Sequence, residues 1–232
     1  MKKSGKKYVE ASKKVDKNTS YTIEEAIKLV KETSITKFDA TVEVSMNLNV
    51  DSKKSDQQLR GSIVLPKGTG KTRKVLVITN PVAAKKAEEA GADLVGGEEM
   101  ITKIEKENFF DFDVIVATPD MMPKLGRIGK ILGPKGLMPN PKTGTVTPTP
   151  ERAVLDIKKG MIEYKTDSYG IIHSIIGKVS FTDEDLIENL TYFVKTISAS
   201  KPQAVKGVFI KNITLTSTMG PGVKLDKNCF DK

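Results

Sequence analysis

The hydrophobic rhythm of this chain changes twice, and few arrangements accommodate such a change. Residues 41–50 (TVEVSMNLNV) alternate strictly, with Val42, Val44, Met46, Leu48 and Val50 on one side and Thr41, Glu43, Ser45, Asn47 and Asn49 on the other. That is an antiparallel strand with one buried and one wet face, and residues 61–65 (GSIVL) read as its partner. Beyond Pro66 the style differs. KVLVIT at 74–79 and DVIVA at 113–117 are short continuous apolar runs, separated by helical stretches at 82–90 and 99–107 and a brief strand at 92–95. Short buried strands alternating with helices predict a small parallel sheet of Rossmann-like character. A helix at 150–159 closes this stretch, with Pro150 in its first turn. After Gly160 the one-face-wet alternation returns, with a turn at Asp167–Gly170, a helix from Asp183 to about Ile197 and a strand at 207–217.

The first and last thirds thus share one style and the middle another. The economical reading is a protein of mixed α/β and α+β class with two domains. Residues 1–66 and 160–232 form a discontinuous α+β domain whose antiparallel sheet uses both chain ends; residues 67–159 form an inserted Rossmann-like α/β domain. The two chain crossings are the natural place for a hinge. In the first part, Thr22 and Glu25 form a capping box opening an amphipathic helix over 22–32.

Charge narrows the partners. The formal net charge is +9, which favours a polyanion over an acidic small molecule. It is unevenly placed. Residues 1–17 carry seven lysines against Glu10 and Asp16, an arm expected to be poorly ordered until neutralised, whereas residues 161–232 are nearly balanced. A second basic stretch lies in LGRIGKILGPKGLMPN (125–140) and its continuation to Pro150. Lys124, Arg127, Lys130, Lys135 and Lys142 stand there with no acid between Asp120 and Glu151. So much glycine and proline precludes a long regular element, and basic side chains on tight turns suit phosphate oxygens. No apolar run reaches the roughly 20 residues that span a bilayer. The N-terminus lacks the apolar core of a secretory signal. A single cysteine, Cys229, excludes an internal disulfide and fits a reducing compartment, so a cytoplasmic location is expected.

Catalytic chemistry is poorly supplied. His173 is the only histidine and lies in an apolar context, GIIHSII, and no second histidine or cysteine exists to complete a zinc set or a Cys/His pair. Gly68-Thr69-Gly70-Lys71-Thr72 imitates part of a phosphate loop, but Leu65 stands where its first glycine belongs and a strand follows where a helix should begin. A flexible inter-domain joint is the better reading of these residues. The inserted domain also lacks G-x-G-x-x-G after its first strand, so a dinucleotide site has little support. No cofactor, metal, membrane or small-molecule substrate is expected, and the chain is not read as an enzyme.

Two segments suit RNA instead. Lys37-Phe38-Asp39-Ala40-Thr41-Val42-Glu43 places a phenylalanine beside polar groups at a strand entry, and Thr214–Gly222 (TLTSTMGPG) offers hydroxyls, free amides and a methionine at a strand end. Such groups can contact 2′-hydroxyls and phosphates, while Phe or Met packs on a base.

Together GKKYVEASKKVD, KFDATVEVSMNLNVD, LPKGTGK, DVIVATPDMMPKLGRIGKILGPKGLMPNPKTGTVT, TDSYGIIHSIIGK and TSTMGPGVK cover nearly the whole chain, and it resembles the bacterial ribosomal protein L-one family of the large-subunit mobile stalk. The resemblance implies a non-catalytic protein with a split and an inserted domain. Its partners would be large-subunit rRNA, exit-site tRNA during release, and its own operon mRNA as a translational repressor. It also implies RNA binding by Lys37, Phe38, Thr41 and Glu43 in one motif and by Thr216, Ser217, Thr218, Met219 and Gly220 in another. Asp167, Gly170 and His173 lie in a third motif. The inserted-domain lysines Lys130, Lys135 and Lys142 then become auxiliary phosphate contacts. The competing expectation is a repressor that binds RNA by the same surface without joining a ribosome. Ser168 and Tyr169 depart from the family, which often carries a basic residue in that turn, and the tail 225–232 has no assigned role.

Overall fold

The computed structural model describes residues 5–54 and 56–230. The chain divides into two compact units: one runs up to Gly70 and resumes at Ile162, and the other is Lys71–Met161.

The first unit begins with α1 (Lys6–Lys13) and α2 (Ile23–Glu32), followed by β1 (Thr41–Leu48) and β2 (Arg60–Val64). The lysine-rich arm, expected to be disordered, is therefore helical from Lys6; residues 1–4 lie outside the described residues. Burial explains the difference, because Ala11 and Val15 are buried and Val15 joins the main core. The capping box of α2 is complete: Glu25 N–H donates to Thr22 Oγ1 at 3.4 Å, and Thr22 N–H donates to Glu25 Oε2 at 3.1 Å.

The second unit holds β3 (Val75–Ile78), α3 (Pro81–Glu89), β4 (Leu94–Gly96), α4 (Glu98–Glu107) and β5 (Val114–Ala117). Two short helices follow, α5 (Met122–Arg127) and α6 (Gly129–Leu132), and α7 (Pro150–Lys158) closes the unit. The sheet is parallel in the order β4-β3-β5. All four residues of β3 are buried, as its unbroken apolar run requires of a strand covered on both faces.

The chain returns to the first unit through β6 (Met161–Lys165), β7 (Ile171–Lys178), α8 (Asp183–Ala199), β8 (Ile210–Ser217) and β9 (Val223–Leu225). Four strands make one antiparallel sheet in the order β7-β1-β8-β9. The expected pairing of residues 61–65 with 41–50 does not occur: β2 pairs with β6 in a separate two-stranded sheet, while both edges of β1 are taken by β7 and β8. Gly61 fits that pairing, since a Cβ there would lie 2.7 Å from the Tyr164 hydroxyl. The tail also has a place, because β9 pairs with β8 and Phe230 packs against the core.

Val42, Val44, Met46 and Leu48 project from β1 into a core shared with Ile27 and Val30 of α2 and with Leu186, Leu190 and Phe193 of α8. The helices cover one face of the four-stranded sheet, and its polar alternate residues lie on the other.

Residues 67–70 are held tightly, contrary to the expectation of a loose joint. Asn189 is fully buried. Its Oδ1 accepts from Lys67 N–H at 3.0 Å, and its Nδ2 donates to the carbonyls of Gly68 at 3.0 Å and Ile176 at 2.8 Å. Gly70 has φ +69°, and a Cβ there would meet the Phe181 ring at 2.8 Å.

Candidate nucleic-acid interface

The residues singled out in the first unit lie along one band organised by β1, at least partly exposed except for the buried Ser217 and Gly170. At the start of this strand, Thr41 is locked to the end of β8: its N–H donates to Thr218 Oγ1 at 3.0 Å, and Thr218 N–H donates to the Thr41 carbonyl at 3.0 Å. Strand register therefore places Lys37 and Phe38, just ahead of β1, at the same corner as Thr218, Met219 and Gly220, just beyond β8. Phe38 is 62% exposed and Met219 is 71% exposed, so neither serves the core. Lys37 is exposed as well.

The corner has a defined backbone. Met219 has φ +65°, in the left-handed region that side chains other than glycine rarely adopt. Gly220 N–H closes the turn on the Ser217 carbonyl at 2.8 Å. A Cβ on Gly220 would collide with the Ser217 hydroxyl, so only glycine passes over this buried serine. Ser217 is nearly inaccessible and its Oγ finds no partner within the protein. Thr216 Oγ1 donates to the Ser217 carbonyl at 3.1 Å and lies 3.2 Å from the Gly220 carbonyl. These two residues shape the turn, whereas Met219 stands out from it.

Along the wet face, Glu43 faces Thr216 on one side and Ile175 on the other, and Ser45 faces Thr214 and His173. His173 Nδ1 lies 3.0 Å from Ser45 Oγ, and its Nε2 lies 3.7 Å from Asp167 Oδ2. At the far end of β1, the Asp167–Gly170 turn meets Leu48, whose N–H donates to the Gly170 carbonyl at 3.0 Å. Asp167 Oδ1 accepts from the N–H groups of Ile171 and Tyr169, each at 2.8 Å. These amides, Ile171 first, hold the carboxyl below the usual carboxylate range. Gly170 has φ +75°, and a Cβ there would crowd Val50 at 3.1 Å. Asp167 and Gly170 thus build the turn, while Tyr169 at its tip is 81% exposed. An eight-residue strand spans roughly 25 Å, so the band matches several nucleotides in length.

Lys130, Lys135 and Lys142 all lie in the second unit and are exposed. Lys135 Nζ sits 3.7 Å above the Phe110 ring and Lys124 is paired with Glu98, so part of the positive charge in that loop is engaged internally. Sequence reasoning missed Lys178 and named Asp39 only within the 37–43 segment. Lys178 Nζ donates to Thr41 Oγ1 at 3.0 Å, and Asp39 accepts from Ser180 N–H at 3.1 Å and Ser180 Oγ at 2.8 Å. The Lys178 contact crosses between strands whose pairing had to be known first. Ser45, on the wet side of the alternation, and Thr214, in the hydroxyl-rich segment, share the face of Glu43 and Thr216.

Among the described residues no cluster of His, Cys, Asp or Glu could hold a metal ion, and no helix is long and apolar enough to cross a membrane. An open sheet face carrying hydroxyls, with an unburied phenylalanine and methionine at one corner and a lysine beside them, is chemically suited to nucleic acid. The chain belongs to the ribosomal protein L1p/L10e family, whose pattern it matches over residues 30–221. It is similar to the large ribosomal subunit protein uL1 of Mesoplasma florum, with 64% identity over 92% of this chain and 94% of that protein. The proteins of the same name from Mycoplasma capricolum subsp. capricolum and Mycoplasma mycoides subsp. mycoides are each 61% identical over 97% of this chain, covering 100% and 99% of their own lengths.

Proposed function

We propose that this protein is a structural constituent of the large ribosomal subunit, in the cytoplasm, and binds large-subunit rRNA through the band running from Phe38 and Met219 to the Asp167–Gly170 turn. The observation that carries this reading is the corner at Thr41 and Thr218, where two separated motifs meet and present two exposed apolar side chains without a core to serve. Phe38 and Met219 would pack on unstacked bases or ribose, and Thr41, Thr218 and Glu43 would reach 2′-hydroxyls and base amines. Lys37, with Lys130, Lys135 and Lys142 as auxiliary contacts, would add the salt-sensitive part of affinity. Full-length similarity to proteins named as large ribosomal subunit components supports the assembly.

Placed in the mobile stalk, the protein would take part in releasing tRNA from the exit site, with the two chain crossings as the hinge. The same surface would bind a similar structure in its own operon mRNA and repress its translation. The fold uses no catalytic step in this reading.

The test is binding to a large-subunit rRNA stalk fragment against an unrelated hairpin over a salt series, with co-sedimentation on ribosome gradients. Selective binding that survives moderate salt, together with co-sedimentation with the large subunit, supports the reading. Equal, salt-labile binding to both RNAs would remove it, and selective binding without co-sedimentation would point to a free repressor.

A further inference from the structure

Among the described residues, the most exposed large apolar side chains are Tyr169, Met219, Phe38 and Val208, at 62% to 81%. Apolar side chains scattered singly over a surface need no explanation, but these are not scattered. Phe38 and Met219 share the corner where β1 begins. Tyr169 stands where β1 ends: Leu48 N–H donates to the Gly170 carbonyl at 3.0 Å, and Asn47 faces Ile171 across the ladder. Val208 lies near that end too, since Asn49 N–H donates to the Phe209 carbonyl at 2.7 Å. It lines a hollow with Ser198 and Lys201 at the end of α8, however, which leaves Tyr169 as the exposed ring of the Asp167–Gly170 turn.

The turn carrying Tyr169 is held from several directions. Asp167 Oδ1 accepts from the Tyr169 and Ile171 N–H groups, and Gly170 N–H donates to the Asp167 carbonyl at 3.2 Å. Ser52 Oγ donates to the Ser168 carbonyl at 2.5 Å. Gly170 has φ +75° and lies against Val50, where a Cβ would be crowded. These contacts fix the backbone on both sides of Tyr169 and use none of its ring. An exposed aromatic on a pre-formed turn has little left to lose on binding, because tyrosine offers a wide flat face and only two rotatable bonds.

The charge at this tip decides what the ring can meet. Ser168 and Tyr169 bring no cation to a turn where the family often carries one, and the Asp167 carboxylate beside them repels phosphate. A base or ribose face suits the tip better than the RNA backbone does. We propose that Tyr169 is a second aromatic platform of the RNA interface, stacking on an unpaired base about 25 Å along β1 from the corner of Phe38 and Met219. The inference rests on the rRNA reading given above and adds the chemistry of the far end, stacking in place of a phosphate contact.

The test uses the full chain and the rRNA stalk fragment, with Phe38→Ala as the reference variant. Tyr169→Ala should bind about fivefold or more weakly, with the same dependence on salt as the parent, because stacking neutralises no phosphate. Its thermal midpoint should not change, since the ring is exposed. Tyr169→Phe should bind like the parent. Tyr169→Trp introduces the one tryptophan of the chain, and its fluorescence should be quenched by the stalk fragment and not by an unrelated hairpin. Single abasic substitutions along the RNA should include one that abolishes the effect of Tyr169→Ala while leaving that of Phe38→Ala intact, as expected of two well-separated contacts. If Phe38→Ala weakens binding and Tyr169→Ala does not, the second platform is overturned and the rRNA reading stands. A lowered midpoint in Tyr169→Ala, a flatter salt dependence, or equal loss in Tyr169→Phe would each overturn stacking as well. If the parent itself does not prefer the stalk fragment, the rRNA reading fails and the platform with it.

Discussion

Thr41 and Thr218 hold each other by two hydrogen bonds of 3.0 Å, one from each backbone N–H, the first accepted by a side-chain oxygen and the second by a carbonyl. This clasp joins the entry of the first sheet strand to the exit of a strand made near the other end of the chain. It fixes where Phe38 and Met219 emerge.

Phe38→Ala should weaken binding to the rRNA stalk fragment by about tenfold or more, the worth of roughly 1–3 kcal/mol for one base–aromatic contact. Its melting temperature should match the parent, because the ring is 62% exposed. Filter binding and thermal melts on the same samples check both halves; a large drop in melting temperature would make Phe38 a structural residue.

Met219 separates contact from conformation. Met219→Gly relieves a backbone at φ +65° and should leave stability unchanged or raise it by up to about 1 kcal/mol, while affinity falls. Met219→Val puts a branched side chain at the same φ and should cost about 1–3 kcal/mol. Denaturant midpoints for the pair, set against their affinities, make the comparison.

Gly220→Ala should lose stability by about 1–3 kcal/mol, because its Cβ collides with the buried Ser217 hydroxyl. Ser217→Ala alone should be neutral or slightly stabilising, since that hydroxyl has no partner. Combining the two should recover part of the loss. A double-mutant cycle that is simply additive would show that the clash lies elsewhere.

Asp167 gives a pH signature. Its carboxyl is held below the ordinary value near 3.9, chiefly by the Ile171 N–H. A depressed folded-state value contributes stability that is present above the unfolded value and lost as pH falls through the folded one. Asp167→Asn keeps an acceptor for the turn but cannot titrate. The stability advantage of the parent over this variant should therefore hold at neutral pH and shrink below about pH 4, as followed by urea melts across pH.

Asn189→Leu should cost about 3 kcal/mol or more, because it leaves the Lys67 N–H and the carbonyls of Gly68 and Ile176 without their partner in a buried place. The urea midpoint should fall, and limited proteolysis should cut near residues 66–72 sooner than in the parent.

Local rules made the elements legible. Alternation at 41–50 reads directly as β1, the apolar run at 74–79 as β3, and Thr22 with Glu25 as the start of α2. Pairing was less legible, because periodicity says which face of a strand is wet but not which strand lies beside it. Residues 61–65 have the right pattern to join β1, yet β7 and β8 occupy both its edges. The lysine-rich arm misled for a related reason: its composition is that of a disordered tail, but Ala11 and Val15 suffice to dock it. In the interface, a phenylalanine at a strand entry does not by its sequence say whether it serves the core, and only exposure shows that Phe38 does not. Ser217 and Gly220 lie in a contact motif, but Ser217 is buried and the Gly220 N–H closes the turn on its carbonyl. The orphan hydroxyl of Ser217 had no sequence signal, since an unsatisfied group is defined by what surrounds it.

The position of β1 between β7 and β8 has a consequence for how the protein is made. When residues 41–48 leave the synthesising machinery, neither neighbouring strand exists yet. The inserted unit, whose strands pair with near neighbours in sequence, can assemble while β1 still waits. Thr218 comes later than β7, α8 and all of β8. A nascent chain that stops short of it carries Phe38 and Glu43 but has no clasp to aim them. On the proposed reading, copies that stop short of Thr218 would therefore not compete with longer ones for RNA.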